Sequence, residues 1–77
     1  MKAITVRKLI AEQLGLDVEK VQPMMDLRRD LGVDSLDHAS LVLELELEFD
    51  HRITDEESEK INTVQDMIDI VHLKRED

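Results

Sequence analysis

The sequence predicts an all-α fold: a small antiparallel four-helix bundle with three main helices and a short third one. Only two Gly and one Pro interrupt 77 residues, so few positions break a helix. In most segments the apolar residues recur at helical rather than strand spacing. Thr54 and Thr63 are each followed three places on by an acid, Glu57 and Asp66, which is the spacing of a helix N-terminal capping box. A chain this short reads as one domain, residues 1–77. Such a domain buries only about 60% of the surface its unfolded chain exposes and leaves no room for an elaborate active-site cleft.

In the first helix Val6, Leu9, Ile10 and Leu14 share a face, and Gly15 follows as the C-cap. From Leu16 to Val33 the apolar residues Val21, Met24, Met25, Leu27 and Leu31 are irregularly spaced around Pro23 and Gly32. That pattern reads as a long loop pinned to the core, and loops of this length are usually functional. Met24, Met25 and Met67 read as adaptable core fillers.

Leu43-Glu44-Leu45-Glu46-Leu47-Glu48-Phe49 alternates like a half-buried strand. The strand is rejected because Leu and Glu are strong helix formers, Glu is depleted from strands, and no other segment offers a pairing partner. Wound at roughly 100° per residue, the segment becomes two opposite stripes. His38, Leu41, Val42, Leu45 and Phe49 make one, and Leu36, Ala39, Leu43 and Leu47 the other. Only one can face so small a core. The other is expected in solvent, edged by Asp37, Glu44 and Glu48 on one side and Glu46 on the other, as a docking surface for basic partners with an apolar centre. A self-associating face and a helix buried on both sides are the competing readings. Thr54-Asp55-Glu56-Glu57 opens the short third helix, with acids at the positive end of its dipole. Thr63 opens the fourth, whose core stripe is Val64, Met67, Ile68 and Val71. Residues 74–77 are expected to fray.

Charge and composition narrow the function. Nineteen Asp and Glu against ten Lys and Arg give −9, with no Cys. A disulfide framework, a thiolate metal site and thiol chemistry of the chain's own are excluded. A nucleic-acid partner is disfavoured, because that affinity comes largely from Lys and Arg displacing counterions. The first eight residues lack the apolar core of a signal peptide, and nothing approaches the roughly 20 apolar residues that span a bilayer. A cytoplasmic protein is expected.

The segment Asp30-Leu31-Gly32-Val33-Asp34-Ser35-Leu36-Asp37 joins the long loop to the second helix. Taken alone, Ser35 or Asp34 is a helix N-cap. His38 follows Ser35 by one helical turn and invites a Ser-His dyad. That enzyme reading lacks a nucleophile elbow, a group to orient His38 and an oxyanion pocket. Calcium binding of the EF-hand kind fails because Asp30, Gly32, Asp34 and Ser35 do not place Gly at the sixth loop position. No metal site is expected, although seven carboxylates and no Lys or Arg between Asp30 and Asp50 make a field that divalent cations would relieve.

The same segment resembles the attachment signature of the acyl carrier protein family, centred on Asp34-Ser35-Leu36 after Asp30-Leu31-Gly32. Leu45, Glu46, Glu48, Phe49 and Asp50 match downstream, as do Asp55-Glu56-Glu57 and Ile61-Asn62-Thr63-Val64-Gln65-Asp66. The resemblance covers nearly the whole chain and is strongest from Asp30 to Val71. It implies that Ser35 Oγ carries 4′-phosphopantetheine donated by coenzyme A, with acyl groups held as thioesters on the terminal thiol. The chain itself would catalyse nothing. Beside that implication, a Ser at a helix start is exposed and the free N–H groups there favour a phosphate. Gly32 would let the loop fold tightly against that end. Asp34 and Asp37 repel the anion, so attachment needs an enzyme.

The resemblance further implies fatty acid biosynthesis and a monomer. Its partners would be a phosphopantetheinyl transferase and acyl-processing synthases, reductases and transferases. Asp34, Leu36, Asp37, Ala39, Leu43, Glu44, Glu46, Leu47 and Glu48 would form the docking surface. The sequence departs from the family at Ser40 and Leu47, where acids are usual, at Glu44, where a small residue is common, and at Arg28-Arg29, expected to pair with nearby carboxylates. These changes redistribute the acidic patch. They leave room for a carrier of a specialised polyketide, aminoacyl or other acyl pathway, and an unmodified acidic helical adaptor is the remaining reading.

Overall fold

Four α-helices follow one another in the computed structural model, which describes residues 2–74: α1 Lys2–Leu14, α2 Ser35–Phe49, α3 Asp55–Glu59 and α4 Val64–Lys74. A single 3₁₀ turn, Val18–Lys20, lies in the long connection and was not evident from the spacing. The described residues contain no strand, only an isolated bridge between Asp26 and Thr63. The all-α bundle is as the periodicity predicts, and α2 runs straight through the alternating Leu-Glu segment. Lys74, expected to fray with 75–77, is instead the last residue of α4; the expectation for 75–77 lies outside the described residues.

α1 stops where expected. Gly15 takes φ 71°, and Leu16 N–H donates to Ala11 O at 2.8 Å, the six-to-one bond of a Schellman stop. Val6, Ile10 and Ala11 are buried, and α1 packs against both α2 and α4. From α2 come Leu41, Val42 and Leu45, and from α4 Val64, Met67, Ile68 and Val71. Both stripes therefore face inward as read, with His38 and Phe49 half-buried at the edges of the α2 stripe.

The connection between α1 and α2 is a core element in its own right. Val21, Leu27 and Val33 are buried. Its backbone also completes the start of α4. Thr63 Oγ1 accepts from Asp66 N, and Asp66 Oδ2 accepts from both Asn62 N and Thr63 N. The next two orphan donors, Val64 N and Gln65 N, go to Met25 O and Pro23 O at 3.1 and 2.8 Å. Leu27 N donates in return to Asn62 O at 2.9 Å. On the other side Arg7 of α1 reaches across, with Nε donating to Val21 O and Nη2 to Val18 O, the latter at 3.0 Å.

Met24, Met25 and Met67 divide. Met67 is fully buried and Met25 packs against the core, but Met24 is 84% exposed. The expectation of Met24 as a core filler is corrected. Met25 N–H donates to Gln22 O, closing a turn with Pro23 in its second position, and Met24 sits at the tip of that turn.

Candidate functional site

The loop into α2 is built by carboxylates that accept main-chain hydrogen bonds. Asp26 Oδ1 accepts from Arg28 N and Arg29 N at 3.0 and 2.9 Å, while Asp30 Oδ2 accepts from Asp26 N at 2.8 Å. The Arg29 N–H bond holds the Asp26 carboxyl below its ordinary pKa against an opposing desolvation effect; the Arg28 N–H and both guanidinium charges add to it. Arg28 and Arg29 thus act on Asp26 mainly through their backbone, where side-chain pairing was expected. Val33 N–H then returns to Leu27 O at 2.9 Å, delivering the chain to Asp34.

Gly32 has φ 70°, a left-handed conformation that disfavours a side chain. A Cβ there would meet no atom within 4 Å. The expected tight approach of loop to helix is therefore corrected: the sign of φ is what requires glycine.

Asp34 is the N-cap of α2, in extended conformation, and Ser35 is the first helical residue. Asp34 Oδ1 accepts from Asp37 N at 2.8 Å, and Asp37 Oδ2 accepts from Asp34 N at 3.4 Å, a reciprocal capping box. Asp34 O accepts from His38 N at 2.9 Å. Two donors of the first turn are thereby satisfied. Ser35 N, Leu36 N and the Ser35 hydroxyl have no hydrogen-bond partner among the described residues, and Ser35 is exposed. The sequence left the cap to Ser35 or Asp34; Asp34 takes it and leaves Ser35 free.

His38 is half-buried, with Nε2 2.9 Å from Ile61 O. A carbonyl can only accept, so Nε2 carries the proton and donates. The expectation that no group orients His38 is corrected. Its orienter is the connection between α3 and α4, and that nitrogen is committed to it rather than to Ser35.

Along α2 the second stripe lies in solvent. Leu36 is 76%, Leu43 53% and Leu47 69% exposed, and Ala39 is exposed with them. Within the chain, this excludes a helix buried on both sides. The acids around the stripe divide by duty. Asp34 and Asp37 hold the capping box, and Glu46, half-buried, accepts from Ile53 N at 2.7 Å through Oε2. Glu44 and Glu48 are exposed and make no hydrogen bond among the described residues. Sequence spacing missed the structural tasks of Arg7, His38 and Glu46, because each is a bond to a main-chain carbonyl or N–H far along the chain.

Among the described residues no three acids or histidines are grouped to hold a metal, and no helix is long and apolar enough to cross a membrane. The site offers an unpaired serine hydroxyl beside two unpaired N–H groups at a helix start. That donor set suits a phosphate ester on Ser35. Residues 5–71, most of the chain, match the family model described as the phosphopantetheine attachment site.

Proposed function

The chain belongs to the phosphopantetheine-attachment family, whose members carry 4′-phosphopantetheine covalently, and we propose that Ser35 is its attachment residue and that it is an acyl carrier protein of fatty acid biosynthesis. The observation that carries the assignment of Ser35 is its position as first residue of α2, exposed, with Oγ, its own N–H and that of Leu36 unpaired.

Ser35 Oγ would hold the group through a phosphodiester, with Ser35 N and Leu36 N left to meet its phosphate. When attached, the group supplies the thiol that the cysteine-free chain lacks, on which acyl groups ride as thioesters. The protein's own part is presentation. Asp34 fixes the first turn, Gly32 and the Val33 N–H to Leu27 O bond set the approach to it, and α1 and α4 hold α2 in place. His38 Nε2 is engaged with Ile61 O and no hydrogen bond links His38 to Ser35, so the hydroxyl proton is left to the transferase. The chain is then a single non-catalytic carrier unit. A tethered intermediate is kept at high effective concentration for each enzyme that docks.

Leu36, Ala39, Leu43 and Leu47 form the apolar centre of the docking surface. Glu44 and Glu48, with the outer charge of Asp34, Asp37 and Glu46, meet basic groups on the transferase and on acyl-processing synthases, reductases and transferases. The protein works as a cytoplasmic monomer. A second reading, a carrier for a specialised acyl pathway, is favoured by the exposed Leu47 on this surface, where the resemblance leads one to expect an acid.

The test is intact mass after incubation with coenzyme A and a broad-specificity phosphopantetheinyl transferase. One phosphopantetheine is gained by the wild type and none by Ser35→Ala. No gain by folded wild type with an active transferase, or equal gain by both, would refute Ser35 as the attachment residue.

A further inference from the structure

The exposed stripe of α2 is flanked differently on its two sides. At roughly 100° per residue, Leu36, Leu43 and Leu47 fall on one line along the helix, roughly 16 Å long at 1.5 Å per residue. Glu44 and Glu48 lie roughly 80–120° to one side of Leu36, and Ala39 and Glu46 roughly 60–80° to the other. Glu44 and Glu48 are exposed and make no hydrogen bond or ion pair among the described residues. Glu46 is half-buried, and its Oε2 accepts from Ile53 N at 2.7 Å. The free acids beside the stripe therefore stand on one flank only.

Each flank meets a different neighbour. On the side of Glu48 it is α1: a shallow groove of about 200 Å³ is lined by Glu48 together with Thr5, Lys8, Leu9 and Glu12. Glu12 is exposed and, like Glu48, makes no hydrogen bond or ion pair among the described residues. Glu12, Glu44 and Glu48 outweigh Lys8 there, so the charge beside the stripe continues from α2 onto α1. On the side of Glu46 the neighbour is α3, across a wider cleft whose lining includes Ala39, Leu43 and Glu46 of α2 with Arg52 and Asp55. Arg52 and Asp55 oppose each other in sign, and Glu46 is committed to Ile53. A second copy of the chain is a poor cover for the stripe, because it would bring −9 against −9.

We propose that the docking surface turns from α2 onto α1, with Glu12 joining Glu44 and Glu48, and that it fits a face of the phosphopantetheinyl transferase bearing an apolar ridge with Lys or Arg along one flank. The ridge covers Leu36, Leu43 and Leu47. The basic flank falls over the groove between α1 and α2, which fixes the direction from which the enzyme reaches Ser35. The α3 side stays outside the contact. The proposal rests on the carrier reading and adds to it a docking residue from outside α2.

The experiment follows transfer from coenzyme A by a broad-specificity transferase to the full chain, for wild type, Glu12→Lys, Glu48→Lys, Glu56→Lys and Glu59→Lys. Every variant changes the net charge equally, and every replaced residue is exposed, so the melts match that of the wild type. Glu12→Lys and Glu48→Lys raise KM roughly threefold to tenfold at low salt and leave kcat unchanged, the loss of part of the steering that charge supplies. In about 1 M salt, where the Debye length is about 3 Å, the difference disappears. Glu56→Lys and Glu59→Lys, on α3, stay within about twofold of wild type. Equal losses in the α3 variants would overturn the inference and leave the carrier reading standing. So would a wild-type KM for Glu12→Lys beside an impaired Glu48→Lys, which confines docking to α2. A folded wild type that gains no phosphopantetheine would overturn both. Dimerisation of the wild type in light scattering, abolished by Leu47→Glu, would give the stripe to a second copy instead.

Discussion

Leu27→Ala tests whether the stretch between α1 and α2 is a loop draped over a bundle or part of its core. Leu27 is fully buried without belonging to any helix. Its N–H donates to Asn62 O and its carbonyl accepts from Val33 N, both at 2.9 Å, so the side chain anchors two backbone links that lead to α4 and to Ser35. Burial this complete places the substitution in the range of buried Leu-to-Ala changes, about 3 kcal/mol with a spread of roughly 2–5. A chain of this size has about 4–12 kcal/mol of total stability at 0.05–0.15 kcal/mol per residue. The variant therefore loses a large fraction of it, and its melting temperature falls by roughly 12–24 °C at about 4–8 °C per kcal/mol. Met24→Ala is the matched control from the same loop: at 84% exposure it should stay within about 0.5 kcal/mol of wild type. Urea unfolding followed by circular dichroism at the helical band measures both, since the chain has no Trp or Tyr. A Leu27→Ala loss below about 0.5 kcal/mol, or one equal to that of Met24→Ala, would refute the claim that this loop is core.

Three further outcomes follow from the site. Asp34→Ala should cost about 1 kcal/mol through loss of the cap, while Asp34→Asn keeps most of that stability and removes only the charge; thermal melts of the two variants separate capping from docking. Glu44→Lys should slow association with the transferase and flatten its salt dependence without changing the melt, because Glu44 has no structural hydrogen bond. Stopped-flow rates across ionic strength check this, and unchanged rates would place the docking surface elsewhere. Asp37 is the poorer site for charge reversal, since its carboxylate belongs to the capping box. For Asp26, the folded pKa lies below the unfolded one, so its contribution to stability is present above the unfolded value and is lost as pH falls through the folded value. The melting difference between wild type and Asp26→Ala should therefore be full near neutral pH and shrink below about pH 4; a constant difference down to pH 2 would contradict the assignment.

Helix positions were legible wherever a cap was written in the sequence, with an apolar stripe behind it in α1 and α4 and without one in α3. Thr54 with Glu57, Thr63 with Asp66, and Gly15 after Leu14 all act as their spacing indicates, because capping is local chemistry written in neighbouring residues. The buried and exposed stripes of α2 were legible for the same reason. What was hidden depends on contacts across the chain. A Pro23 carbonyl accepting from Gln65 N, or a Met25 carbonyl accepting from Val64 N, leaves no mark on residue identity, since every residue has such groups. Arg7, His38 and Glu46 read as ordinary surface or edge residues until their backbone partners, 14, 23 and 7 positions away, are in place. Met24 was misread because hydrophobicity alone does not reveal that Pro23 turns the chain outward.

Fragment mass spectrometry locates the modification within the chain. Ser35, Ser40 and Ser58 are the three serines that could accept the group. Ser35 alone begins α2 as an exposed residue with unpaired N–H donors beside it, whereas Ser40 and Ser58 are half-buried within α2 and α3. Phosphopantetheine is expected on fragments containing Ser35 and on none that contain only Ser40 or Ser58. Modification of either of those serines, with Ser35 untouched, would contradict it.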